Sequence, residues 1–391
     1  MKKALKQTAA WVLCGAIAWG QGLAVEEPSA GTEAELAGIV APCAILMDED
    51  GQVLYEKNAD QPREPASVTK VMTMLLVMEA LDSGKISLDE TVTASARAAG
   101  QGGSQIYLKE NEQMTVEEML KSVAVASAND CAVALAEHLA GTEEAFVAQM
   151  NQRAAELGME NTYFVNCNGL PAPGHVSTAR DIALMSRQLI RHKEIFNYTT
   201  IWMDSVRDGA FGLTNTNRLI RTYDGMTGLK TGYTKTAGYC LSATAERQGL
   251  SLVAVALGEP DISTRSADVT ALLNYGFANY QKVTVTPDQP IMPLPVRLGK
   301  QDYALCELEG APSLVISKNK APSLEKELIM EEYLTAPVEK GQQAGVLRVT
   351  AAGETVAEIP VVVSDGVERL SLWGLTGRML QACAMRRAPA A

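Results

Sequence analysis

Along residues 43–56 (CAILMDEDGQVLYE) two short apolar runs flank Asp48-Glu49-Asp50-Gly51, the turn chemistry of a β-hairpin. Beyond Pro65 the spacing becomes helical. Ser67-Val68-Thr69-Lys70 leads into VMTMLLVMEAL, apolar nearly all round, which predicts a buried helix stopping at Ser83-Gly84. Thr115 with Glu118 predicts a capping box opening the helix MLKSVAVA, and CAVALAEHLA predicts another after Asn129-Asp130. Two more helices follow from Glu143 to Leu157 and from Ala179 to Arg191, punctuated by Gly158 and by a start at Ser177.

The period then changes. Residues 237–246 (AGYCLSATAE) and 250–257 (LSLVAVAL) read as strands joined at Arg247-Gln248-Gly249, and Ser266 to Tyr280 is helical again. Strands at both ends of this region enclose a helical middle, the pattern of an α/β fold with a sheet built from distant pieces and an all-α insertion, not of an alternating βαβ chain. Pro287, Pro290, Pro293 and Pro295 mark a linker, and the alternating runs after it predict a small all-β domain. The final segment, VERLSLWGLTGRMLQACAMRR, can gather Leu370, Trp373, Leu380 and Met385 on one helix face, with Arg369, Arg378, Arg386 and Arg387 around it. That is the profile of a helix lying in a membrane interface; the alternative is a helix docked on its own domain. The predicted organisation is a segment over 1–24, an α/β domain over 35–283, an all-β domain over 284–366 and an amphipathic helix over 367–387.

Residues 1–24 read as a signal peptide. Lys2, Lys3 and Lys6 precede an apolar stretch from Thr8 to Trp19 that is short for a membrane span, and Gly22-Leu23-Ala24 offers small residues for cleavage. The alternative is a retained N-terminal anchor. Export would expose the remaining cysteines to oxidation, yet Cys43, Cys131 and Cys240 lie in apolar runs, where a thiol behaves as a small hydrophobe, so mostly reduced core cysteines are expected.

Composition narrows the chemistry. The 391 residues are 47 % hydrophobic and 20 % charged, ordinary for a globular chain. A net charge of −12 argues against DNA or RNA as partner. There are only three histidines, His138, His175 and His192, and none has zinc-binding spacing, so a histidine base or a metal site is disfavoured.

A serine nucleophile therefore needs another base. Ser67 and Lys70 are one turn apart at the start of the buried helix, whose N-terminal N–H groups favour charge near the serine oxygen. An S-x-x-K pair alone is expected about once by chance in a chain this long. A lysine has a pKa near ~10.4 and serves as base only if burial or a neighbouring cation lowers it. Lys230-Thr231-Gly232 supplies a second cation directly before the strand at 237; its glycine admits a substrate backbone and its lysine and threonine suit a carboxylate. Between the two lie Ser127-Ala128-Asn129, at the break between two helices. Ser127 could relay a proton to a leaving amine and Asn129 could hold a substrate carbonyl; the alternative is that both merely cap the next helix.

PASVTK, SAN and KTG, in that order, resemble the motifs of the active-serine penicillin-recognising enzymes. The wider strings GGSQIYLKENEQMTVEEMLKSVAVASANDCAVALAEHLAG, NGLPAPGHVSTARDIALMSRQLI and DGMTGLKTGYTKTAGYCLSATA are similar to those of the D-alanyl-D-alanine carboxypeptidases, the small penicillin-binding serine peptidases, and the resemblance runs from about Ala41 to the C-terminus. It implies a β-lactamase/transpeptidase-like catalytic domain, an antiparallel sheet plus an all-α insertion, followed by a small all-β domain and a C-terminal amphipathic helix. It implies Ser67 as acylated nucleophile, Lys70 as its base and Ser127 with Asn129 as relay and substrate-holding pair. Lys230, Thr231 and Gly232 would be the substrate-binding strand, and the backbone N–H groups of Ser67 and Tyr233 the oxyanion hole. Arg265 would take the terminal carboxylate, the alternative being a surface arginine at a helix start.

The implied reaction is removal of the terminal D-alanine from the peptidoglycan stem peptide, without a cofactor, outside the cytoplasmic membrane. β-Lactam antibiotics and the membrane surface are the other implied partners. A β-lactamase of the same fold would carry a second base for fast deacylation, and no E-x-x-L-N-type segment follows the SAN motif. A non-catalytic penicillin sensor or wall-binding protein would be expected to have lost Ser67, Lys70 or Lys230. Two departures are Ala128, where the family often has glycine, and Cys167-Asn168 before Gly169-Leu170-Pro171.

Overall fold

The computed structural model describes residues 36–310 and 312–385. The predicted signal peptide over 1–24 lies outside them, as do Arg386 and Arg387. The strands Cys43–Asp48 (β1), Val53–Lys57 (β2), Met226–Thr234 (β3), Gly238–Arg247 (β4) and Leu250–Glu259 (β5) form one antiparallel sheet in the order β2-β1-β5-β4-β3. The predicted hairpin turn is closed by Asp48, whose Oδ1 accepts from the backbone N–H groups of Asp50, Gly51 and Gln52.

Two layers cover this sheet, and its alternation of side chains separates two cores. Cys43, Ile45 and Met47 of β1 with Val253, Val255 and Leu257 of β5 face the helical layer. Ala44 and Leu46 with Leu252, Ala254 and Ala256 face a helix over Ile262–Asn279. Strands buried on both faces lack an apolar–polar alternation, which is why β1 and β5 read as continuous apolar runs.

The helical layer holds Lys70–Asp82 (α1), Val116–Ala126 (α2), Asn129–Ala140 (α3), Glu143–Glu156 (α4) and Ala179–Leu189 (α5); Ile262–Asn279 on the far face is α6. α1 buries Val71, Met72, Met74, Leu75, Val77 and Met78, each contributing roughly 2 kcal/mol of apolar burial. The Thr115–Glu118 capping box is present, and Thr142, Thr178 and Asp261 cap α4, α5 and α6. Capping by Asp261 starts α6 at Ile262, four residues before the predicted start. Cys43, Cys131, Cys167 and Cys240 are free and buried.

The C-terminal part is β-rich. Tyr280–Thr284 pairs with Ser313–Ser317, and a four-stranded sheet joins Cys306–Leu308, Glu354–Val363, Gln343–Ala351 and Leu324–Met330. The predicted helix over 367–387 begins five residues late. Val367 and Arg369 form bridges with Val338 and Gly299, and Val367 packs into the β-domain core, so helix α7 spans Leu372–Met385. Ser371 opens it, its Oγ accepting from Gly374 N–H at 3.1 Å.

Candidate active site

Ser67 does not sit in α1 itself. It lies in a one-turn 3₁₀ helix, Ala66–Thr69, that feeds into α1 at Lys70. Two distant glycines press on this turn. A Cβ at Gly169 would lie 1.9 Å from Ala66 O, and one at Gly232 would lie 2.9 Å from Pro65 O and 3.0 Å from Ser67 N. Only a bare backbone fits at both places. Gly232 brings the sheet edge β3 against the turn, and Gly169 brings up the loop that the sequence marks as unusual at Cys167-Asn168.

Lys70 is 0 % exposed and donates from Nζ to Ser67 Oγ at 3.0 Å, to Asn129 Oδ1 at 2.6 Å and to Asn168 O at 2.6 Å. Burial pulls its pKa down to about 7, which makes it a usable base near neutral pH. Three acceptors fix its direction. Lys230 is also buried, donating to Thr231 O at 3.0 Å, and its pKa is held well below the ordinary lysine range by burial, with the charges of Lys70 and Arg265 adding. The two buried amines are close enough for their charges to repel, and one of them, Lys70, contacts the Ser67 hydroxyl.

Ser127 and Asn129 do not cap α3. The N-cap of α3 is Ala128, with no side-chain hydrogen bond, while Ser127 ends α2 in left-handed geometry at φ 62°. Such a conformation is strained for a residue with a Cβ and turns the Ser127 side chain toward the cavity wall it shares with Ser67. Asn129 spans two elements, accepting from Lys70 and donating from Nδ2 to Gly102 O at 2.6 Å.

Lys230, Thr231, Gly232 and Tyr233 all lie on β3, the edge of the sheet. The residue pattern placed Lys230, Thr231 and Gly232 before a strand, whereas the resemblance implied that they are one, as their pairing with β4 makes them. Thr231 Oγ1 donates to Thr216 Oγ1 at 2.7 Å, and Tyr233, 55 % exposed, stacks on Tyr239 at 4.3 Å. Arg265 is no surface arginine. It is 4 % exposed, donates from Nη1 to Cys240 O at 3.5 Å, and its Nε has no partner among the described residues. With Ser67, Ser127, Thr231, Gly232 and Tyr233 it lines a cavity of about 830 Å³.

The sequence reading missed the backbone carbonyl of Asn168, the clamp at Gly169, and Thr216. Only the Asn168-Gly169 pair carried a signal, as turn chemistry under the site.

Comparison with known proteins bears on this geometry. Residues 30–261 match the D-alanyl-D-alanine carboxypeptidase family, and residues 280–369 match the C-terminal domain of penicillin-binding protein 5. D-alanyl-D-alanine carboxypeptidase DacF of Bacillus subtilis is 42 % identical over 335 residues, covering 84 % of this chain and 86 % of the relative. Penicillin-binding protein 5 from Haemophilus influenzae superposes with a TM-score of 0.74 at 31 % identity, covering 85 % of this chain and 98 % of its own. Penicillin-binding protein D2 from Listeria monocytogenes, solved in its ampicillin-bound form, gives 0.56 at 34 % identity over 61 % of this chain and 97 % of its own.

Proposed function

The chain belongs to the D-alanyl-D-alanine carboxypeptidase family of serine hydrolases, and from that premise we propose that it removes the terminal D-alanine of peptidoglycan stems through an acyl-enzyme on Ser67. Neutral Lys70 takes the Ser67 hydroxyl proton as Oγ attacks the carbonyl carbon of the penultimate D-alanine. The backbone N–H groups of Ser67 and Tyr233 hold the resulting oxyanion, each donor worth ~3–4 kcal/mol. Ser127 relays the proton held by Lys70 to the leaving nitrogen, the C–N bond breaks and D-alanine departs. Water then cleaves the ester, giving one proton back to Ser67 Oγ and leaving a shortened carboxylate.

Binding falls to the remaining groups. Asn129 holds Lys70 in line and meets a substrate carbonyl. Lys230, Thr231 and Gly232 present the sheet edge along which the peptide or a β-lactam lies, and Arg265 takes the terminal carboxylate. The observation that carries this reading is the 3.0 Å contact from Lys70 Nζ to Ser67 Oγ, with Lys70 wholly buried. Incubation with diacetyl-Lys-D-Ala-D-Ala should release D-alanine, and fluorescent penicillin should label the protein. Ser67→Ala should abolish both, and a wild type that does neither refutes the proposal.

Three further assignments belong to the same reading. The join between the catalytic domain (35–283) and the all-β domain (284–366) falls at strand Tyr280–Thr284, which pairs with Ser313–Ser317 and with no strand of the large sheet. The enzyme works outside the cytoplasmic membrane after removal of residues 1–24, since its substrate is cell-wall peptide. Helix α7 docks on the membrane surface: Leu372, Trp373, Met379 and Leu380 are exposed on it. No helix among the described residues is long and apolar enough to cross a membrane.

A further inference from the structure

The cavity over Ser67 has no Asp or Glu in its wall, yet it carries three arginines, Arg218, Arg221 and Arg265. In a chain of net charge −12 such a cluster is out of proportion, and like charges in one hollow repel each other until an anion enters. Arg97, Arg153 and Arg180 elsewhere are ion-paired; among the described residues these three are not. Arg221 lies over Trp202, its Cζ 5.1 Å from the ring centroid, a contact that uses none of its N–H donors on an acid. Arg218 is exposed, and its charge adds to the burial that holds Arg265 below the ordinary guanidinium range.

If Arg265 takes the terminal carboxylate, a step that rests on the function proposed above, the groups beside it face the leaving residue. There a second hollow of about 560 Å³ opens, sharing Arg218, Thr222, Tyr239 and Ile262 with the first. A methyl side chain fills little of it. The one acid at its rim, Asp261, turns its carboxylate to Thr264 N and Oγ1, both at 2.8 Å, in capping α6; those bonds keep it ionised, a charge that Arg218 beside it offsets.

We propose that Arg218, together with Arg221, selects the leaving residue, so that the site accepts terminal D-residues bearing a second carboxylate on the side chain, the class of D-glutamate, as well as D-alanine. The chemistry is unchanged. The amide C–N bond breaks as the Ser67 ester forms, the departing amine takes up the relayed proton, and the product amino acid carries two carboxylates instead of one.

The test compares diacetyl-Lys-D-Ala-D-X peptides in which X is alanine, glutamate or its neutral isostere glutamine. For wild type, kcat/KM for the glutamate peptide should exceed that for the glutamine peptide by about tenfold, and the ratio should shrink at high ionic strength. Arg218→Glu should bring the ratio below one and Arg218→Gln should bring it near one, with the urea unfolding midpoint reporting that each variant is folded. A wild-type ratio of one, or a ratio unchanged in both variants, overturns the inference. If D-alanine is still released in that case, the carboxypeptidase reading stands; if none of the peptides is cleaved, both fall together.

Discussion

Lys70 Nζ lies 3.0 Å from Ser67 Oγ, and the lysine that makes this contact is completely removed from water. Proximity alone would not make a base, because a solvated ammonium has no lone pair to offer at neutral pH. Burial destabilises the charged form, and the contact then becomes a proton-transfer path.

The rate of acylation should accordingly rise with pH and reach half its plateau near the Lys70 pKa of about 7. Below that value the amine is charged and idle; above it the amine is free. Lys70→Arg keeps a charge at every accessible pH and should lose at least ~10³-fold. Penicillin-labelling rates between pH 5 and 8.5 decide the matter, and a flat wild-type profile would contradict it.

Gly169→Ala should unfold the nucleophile turn. Gly169 has φ +84° and no room for a Cβ beside Ala66 O, whereas Gly158, at φ +74°, has nothing within 4 Å of the same position. The first substitution should cost roughly 3 kcal/mol or more through clash and strain, the second about 1 kcal/mol through strain alone. Urea midpoints at constant m-value measure both. Equal costs would mean that the clamp on the turn is not rigid.

His175 should make the fold acid-sensitive. Its Nδ1 accepts from Val165 N–H at 3.0 Å, so its proton sits on Nε2, which is 2.8 Å from Thr69 Oγ1. Burial pushes its pKa down to about 4 from 6.5. Between those values the unfolded chain binds a proton that the folded chain refuses, so stability falls as pH drops from 6.5 toward 4. His175→Gln should be less stable at pH 7 but lose less between pH 7 and pH 4.5. Parallel slopes in urea titrations would remove His175 from the account.

A chain ended after Ser371 should keep penicillin labelling and lose sedimentation with phosphatidylglycerol-containing vesicles. The cut spares Val367, buried in the β-domain, and Leu370, whose N–H donates to Leu298 O at 2.8 Å. Trp373→Ser in the full chain, which removes a ring 87 % exposed, should weaken sedimentation by roughly tenfold. Undiminished sedimentation of the truncated chain would place the membrane contact elsewhere.

What the amino-acid order determined by itself was local. The all-round apolar run of α1, the Thr115–Glu118 cap, the paired runs that became β4 and β5, and the spacing of Ser67 to Lys70 are all properties of a few consecutive residues. Periodicity and capping are written in such windows. Strand β3 was not written in periodicity, because the two glycines of Met226–Thr234 weaken a strand pattern that its ladder with β4 completes. Likewise Val367 became part of the β-domain because a core lay waiting for it.

The site itself was decided by tertiary structure. Asn168 lies 98 residues from the lysine it receives, and no short-range pattern encodes that meeting. Burial turned Arg265 from a helix-start cation into a wall of the cavity and pulled the Lys70 pKa down to about 7. A pKa depends on how much water the folded chain excludes, and that quantity exists only once distant segments have closed around the group.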